Sequence, residues 1–261
     1  MPQVESTTEE AQTMQAIRRS VIGLVMAVGL AMAGKAAAQT AAAPPPPPAR
    51  EGSAEFALVA TSGNTSTRTI GLAGDITFRS SKWAYVTRAG YVQNQVQGVL
   101  AARSFLTTFR ASREVSKTTS LFGQMAYLHD RFSGIENRAV VEGGVSGKWE
   151  KGRQSFSADV AAGYANEQRT IGGDLSTGVG GAGFKYVVKL SENSDFTDEF
   201  RYTQSFSTGD DYRLNQLAAL TAKVNTLFSL KISNLIRYVN APVTGFKTTD
   251  STTAMALVAK F

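Results

Sequence analysis

Thr252-Thr253-Ala254-Met255-Ala256-Leu257-Val258-Ala259-Lys260-Phe261 closes the chain. Successive side chains of a β-strand point to opposite faces. Counting back by twos puts Phe261, Ala259, Leu257, Met255 and Thr253 on one face. Lys260, Val258, Ala256 and Ala254 make the other. The first face suits lipid and the second is mixed. An edge strand of a soluble sheet can alternate in the same way, so the rest of the chain has to supply the partners.

It does. Working outward from this strand, the pattern from Gly52 onward is strand and turn. No window holds a helical period over several turns. Strands are expected near 53–61, 67–79, 83–95, 101–113, 118–129, 137–150, 154–166, 177–190, 195–206, 211–224, 227–239 and 251–261. Ile70, Leu72, Ile76 and Phe78 oppose Thr69, Asp75 and Thr77. Val141, Val145 and Trp149 oppose Glu142 and Lys148. Phe228, Leu230, Ile232 and Ile236 oppose Lys231 and Arg237. The 118–129 segment does not alternate cleanly and its faces stay unassigned. Tight connections (80–82, 114–117, 151–153, 191–194, 226) alternate with a mostly longer set (97–100, 130–136, 167–176, 207–210, 240–250).

Composition narrows the class. Of 261 residues, 18% are charged and 24 are Gly, which fits a barrel with small inward side chains. There is no Cys, so disulfides and Cys-ligated metals are excluded. The net charge of +6 is spread rather than gathered into a basic stripe with aromatics, which argues against nucleic acid as a partner.

The N-terminus reads as a secretory leader. Arg18-Arg19 precede an apolar run from Val21 to Ala33, and Ala36-Ala37-Ala38 offers a small-x-small cleavage site. The run is short for a membrane helix, which needs about 20 residues. Residues 1–38 are therefore expected to be a signal peptide. Glu5, Glu9 and Glu10 are foreign to such a segment, and a start at Met14 would remove them. Residues 39–51, with Pro44 to Pro48, are expected to be an extended periplasmic linker. Residues 52–261 form the remaining domain.

These features point to an all-β, transmembrane, antiparallel up-and-down β-barrel of about twelve strands. In hydrocarbon every backbone polar group must be paired within the protein, and a closed sheet achieves this. Short turns alternating with longer loops is the layout of outer-membrane barrels. Aromatics near strand ends (Phe78, Trp83, Tyr85, Trp149, Phe156 and Phe228; Tyr91, Tyr164, Phe206, Tyr212 and Tyr238) suit two interfacial girdles. The terminal Phe261, with Leu257, resembles the C-terminal assembly signal of bacterial outer-membrane barrels. Ala259 stands where that signal usually has a larger apolar residue. The resemblance implies outer-membrane lipid and the barrel-assembly machinery as partners. An even strand count places both termini on one side. It is expected to be the periplasmic side of a Gram-negative outer membrane, in agreement with a leader and linker entering there, and a monomer is expected.

Three stretches carry a second resemblance. Ser62-Gly63-Asn64-Thr65 is similar to the SGNT hairpin of the YdiY-like, salt-induced outer-membrane proteins (domain of unknown function 481). Asp130-Arg131-Phe132-Ser133-Gly134-Ile135 resembles their DRF-x-GI loop. Ala241-Pro242 through Asp250-Ser251-Thr252-Thr253 resembles their closing Pro loop, with Asp250-Ser251 in place of Asp-Thr. The order is right and the span is about Gly52 to Phe261. The resemblance implies a barrel and a link to salt stress, but no established activity.

The residue types offer little catalytic chemistry. His129 is the single histidine, and Ser133 lies four residues on. A serine nucleophile needs an imidazole in hydrogen-bond reach and a third group to orient it. Outer-membrane phospholipases use His and Ser on a twelve-stranded barrel, so a lipid-directed enzyme is the alternative reading. No phospholipase-like motif surrounds these residues, and no catalytic residue, cofactor or metal site is assigned. Asp130 and Arg131 are expected to fix their loop as partners, with Gly134 allowing a tight turn. The glycines around Gly180 are expected to ease curvature.

If the Phe and Leu positions face lipid, the opposite set faces inward. It contains Arg88, Arg110, Lys148, Lys185, Arg201, Arg213, Lys223, Lys231 and Arg237, against Asp75, Glu142, Asp159 and Glu199. The expectation is a narrow channel or a structural envelope protein, with ion pairs across the lumen and a surplus of positive charge favouring anions in any open path.

Overall fold

Alternation of apolar and polar side chains needs a sheet with two unlike faces, and the chain meets that need by closing the sheet on itself. The computed structural model describes residues 48–61 and 66–261. The expected leader, most of the Pro-rich stretch and the Ser62–Thr65 hairpin lie outside the described residues. The strands are β1 (Arg50–Thr61), β2 (Thr67–Ser80), β3 (Trp83–Val96), β4 (Val99–Glu114), β5 (Thr119–Asp130), β6 (Ile135–Lys151), β7 (Gln154–Arg169), β8 (Leu175–Lys189), β9 (Ser194–Ser205), β10 (Tyr212–Lys223), β11 (Phe228–Val239) and β12 (Thr249–Lys260). Each is antiparallel to the next, and β12 returns to β1 to close the barrel. Among the described residues the only helical element is a 3-10 turn, Arg131–Ser133.

The strands outrun their expected ends by one to three residues in several places. β1 starts at Arg50, inside the span assigned to the linker. The expected loop at 97–100 is instead a two-residue turn. Gln97 (φ 50°) and Gly98 (φ 79°) both adopt the left-handed conformation. Two successive positive φ values match the right-handed twist of the flanking strands.

Ile76, Met125, Val141, Val160, Ile232 and Met255 all point outward and are exposed. Outward aromatics meet in rows near the two ends. Phe78, Tyr85 and Trp83 stack at the end where β1 starts and β12 finishes, as do Trp149, Phe156 and Phe184. Tyr202, Tyr212 and Tyr238 adjoin at the other end. The polar outward residues of β9–β12 bond to one another. Gln216 donates to Asp198 at 3.2 Å, and Asn234 donates to Ser251 and Thr253.

β5 shows why its faces could not be assigned. Phe122 and Leu128 share the inward parity with Gln124, while Leu121 and Met125 face out, so large apolar groups lie on both sides. Phe122 is buried, with the Arg110 guanidinium 3.5 Å from its ring centroid. A bulge between Leu128 and Asp130 then turns the chain into the 3-10 loop.

Candidate functional site

The lumen holds charges, and most of them are paired. Arg201 on β9 reaches β7 and β6 at once. Its Nη1 donates to Asp159 Oδ1 at 2.6 Å, and its Nη2 to both Glu142 oxygens at 2.9 and 2.8 Å. Glu142 also accepts from Gln124 Nε2 at 2.6 Å, and Arg110 lies 3.6 Å from Asp159. The neighbouring glycines make this possible. A Cβ on Gly181 would stand 2.8 Å from Arg201 Nη2, and one on Gly183 would stand 3.3 Å from its Cδ. The guanidinium lies flat on β8 because these positions have no side chain. Room for Arg201 is thus a further role for this glycine group beside the expected easing of curvature.

Two ion pairs span the whole ring. Arg88 on β3 meets Glu199 on β9 at 3.4 Å, and Arg237 on β11 meets Asp130 on β5 at 3.2 Å. In each case the strands are six apart in a ring of twelve, which is diametrically opposite. Lys185 holds Glu199 from the next strand at 2.6 Å, and Lys231 holds Glu55 at 2.7 Å. Nearer the loop end, Glu167 is almost fully buried and accepts from Arg138 and Arg213 at 2.6 Å and from Arg169 at 2.7 Å. A carboxylate this deep persists only when paired and hydrogen-bonded.

Other expected inward groups sit differently. Asp75 accepts from Ser53 on β1. Lys148 pairs with Glu150 on its own strand, exposed near the turn, and Lys223 is exposed at the same end. Glu55, Asp130, Glu167 and Arg138 also face the lumen and were not among the expected charges. The three extra acids all carry basic partners, so the positive surplus is smaller than the residue list implied.

Two of the motif stretches, Asp130–Ile135 and the β11–β12 connection, meet at the end opposite the start of β1. Asp130 Oδ1 accepts from the Ser133 amide and caps the 3-10 turn, while its Oδ2 takes Arg237. Arg131 pairs with Glu136 at 2.9 Å, not with Asp130, which corrects the expected partnership. Gly134 has φ +82°, and a Cβ there would lie 2.7 Å from Val243 Cβ and 2.9 Å from the Phe246 ring. The β11–β12 connection, which contains Pro242, therefore presses onto the Asp130–Ile135 loop. Val243 and Ile135 are both buried there. Phe132 stays exposed, and Asp250 stands opposite Arg237 in the β11–β12 register. His129 Nδ1 contacts the Glu136 carbonyl, and Ser133 Oγ donates to the Asp130 carbonyl at 3.0 Å. Among the described residues no group of three or more His, Cys, Asp or Glu is placed to hold a metal.

A closed antiparallel ring with an apolar exterior and a charged interior is a transmembrane β-barrel of the outer-membrane type. The chain belongs to the family described as "Protein of unknown function, DUF481", whose model matches residues 54–261. It is similar to "Uncharacterized protein YdiY" of Escherichia coli (strain K12), with 23% identity over 209 residues, 79% of this chain and 81% of the relative. Among solved structures it resembles the NanC porin, with a TM-score of 0.50 at 8% identity, covering 80% of this chain and 98% of that one. That likeness is one of fold.

Proposed function

We propose that this chain is a monomeric barrel of the Gram-negative outer membrane that acts as a narrow channel, closed at rest. One observation carries the reading: ion pairs join opposite walls, Arg88 to Glu199 and Arg237 to Asp130. A wide, open, water-filled lumen would leave such side chains too far apart to touch. The Val243–Phe246 segment over Gly134 covers part of the mouth. The start of β1 and the finish of β12 lie at the end with the tighter connections, which supports a periplasmic position for that end. Outer-membrane lipid then contacts the apolar exterior, and the assembly machinery engages the closing strand.

Salt enters through the same pairs. The Arg88 side chain is 51% exposed, so mobile ions reach it. The screening length falls from about 10 Å at 0.1 M to about 3 Å at 1 M salt. High salt weakens this contact and raises the open fraction, which fits the salt link implied by the family resemblance. The lipid-enzyme alternative receives no support from His129 and Ser133, whose side chains bond to different backbone carbonyls.

Liposome swelling tests the reading. Wild-type vesicles at low salt should admit glucose barely faster than empty ones, and Arg88→Gln/Glu199→Gln vesicles markedly faster. Fast swelling with the wild type would contradict closure at rest.

A further inference from the structure

The ring is zipped unevenly. Every other neighbouring pair registers at least ten residue pairs, whereas β1 and β12 register four, from Ser53–Lys260 to Phe56–Leu257. Phe261 and Gly52 add two backbone hydrogen bonds at the terminal end. From Ala57 on β1 and Ala256 on β12, the facing edges have no registered partner among the described residues.

Beside that seam, along β1–β4, the lumen is not filled, although Ala256 and Val258 on β12 itself are buried. The β6–β8 wall is packed, with Ala165 and Val179 each 1% exposed. On the other side, Val59, Val92 and Leu106 point inward yet are 52%, 36% and 44% exposed. Gly90 lies between Ala73 and Leu106 in the register, and a Cβ added to it would meet nothing within 4 Å. The space is lined mostly by small or apolar groups, with the hydrogen-bonded Asn94–Thr69 pair on its loop side. The Arg88–Glu199 and Lys231–Glu55 pairs lie toward its terminal side, and the Val243–Phe246 loop lies over the mouth. The remaining side is the seam, where Leu58 and Met255 are exposed on the outer face.

We propose that the unzipped part of the β1–β12 seam is a lateral port through which the acyl chain of a membrane lipid enters this chamber. The proposal rests on the membrane placement argued above. An apolar lining rewards an aliphatic chain, because removing apolar surface from water is favourable. The seam itself favours an amphiphile over a pure hydrocarbon. Open strand edges in hydrocarbon leave backbone N–H and C=O groups unsatisfied, and a lipid's ester and head group can meet them. Asn234, Ser251 and Thr253 place further polar groups on the outer face next to the seam.

The test uses the full chain refolded into phosphatidylcholine vesicles brominated at mid-chain. The native tryptophans, Trp83 and Trp149, are replaced by Phe. A single Trp is then placed inward by Leu106→Trp or outward by Met125→Trp. Both should be quenched by bromine. The chain has no Cys, so Leu58→Cys/Met255→Cys introduces one disulfide across the seam. Oxidation should abolish quenching of the inward Trp, reduction should restore it, and the outward Trp should stay quenched throughout. Val92→Trp replaces Leu106→Trp if that variant lacks heat-modifiable migration. An unquenched inward Trp beside a quenched outward one overturns the port. So does inward quenching that the disulfide leaves unchanged. An unquenched outward Trp overturns the membrane placement and the port with it.

Discussion

Arg88 and Glu199 sit on opposite walls of the barrel, 111 residues apart in sequence, and their side chains meet at 3.4 Å. Neither strand alone specifies the contact. It exists because twelve strands bring β3 to face β9 and both residues share the inward parity. The Glu199–Lys185 contact is shorter at 2.6 Å, so Arg88 is the more loosely held partner of the carboxylate. A conducting state needs Arg88 to swing aside while Glu199 keeps Lys185.

Arg201 is expected to be the structural centre of the lumen. Arg201→Ala leaves Glu142, whose side chain is 5% exposed, without its cation. Breaking a buried pair by removing one partner costs about 3–5 kcal/mol. Urea titration of the refolded barrel should show a loss of this order, and Arg201→Lys should recover only part of it, because one ammonium cannot reproduce the guanidinium's fork onto two carboxylates. A loss below about 1 kcal/mol, the scale of an exposed pair, would show that the network is dispensable.

Phe261 should act through Gly52. Its ring lies where a Gly52 side chain would be, with a built Cβ 2.6 Å from Cε2. Deleting Phe261 should reduce membrane yield and heat-modifiable migration, and Gly52→Val should do the same by displacing the ring. Leu257→Asp should impair insertion as well, because it puts a charge on the lipid face. Normal yield and migration in all three variants would sink the assembly role.

Gly134 should control the outer loop. Gly134→Val adds strain at φ +82° and collides with Val243 and Phe246. Amide exchange at Phe246, whose N–H donates to the Val243 carbonyl at 3.0 Å, should quicken by more than tenfold, while exchange in β5 and β6 away from the loop stays as in wild type. Equal protection in both proteins would mean that the loop is held by other contacts.

Much of this was legible before any coordinates. The strand count, the parity of the large apolar groups and the location of the motif loops follow from period-two patterning and turn residues. Glu167 was missed because β7 was expected to end at 166, and Glu167 was counted as loop. Glu55 was missed although it alternates with Phe56 and Leu58. Asp130 was expected to pair with its neighbour Arg131, whereas its partner Arg237 is brought by ring closure. Which inward charges meet depends on strand number and stagger, and alternation along one strand carries neither. The short seam was invisible for the same reason, since pairing length belongs to two strands at once.

Closure at rest is tested most directly by single-channel recording in a planar bilayer at 0.1 M salt. The wild type should be silent or only briefly conducting. Arg88→Gln/Glu199→Gln should open a steady path. Glu199→Gln alone, which frees Lys185 and Arg88 from their shared carboxylate, should open one that prefers anions in a salt gradient. Steady wild-type conductance equal to that of the double variant would contradict the account.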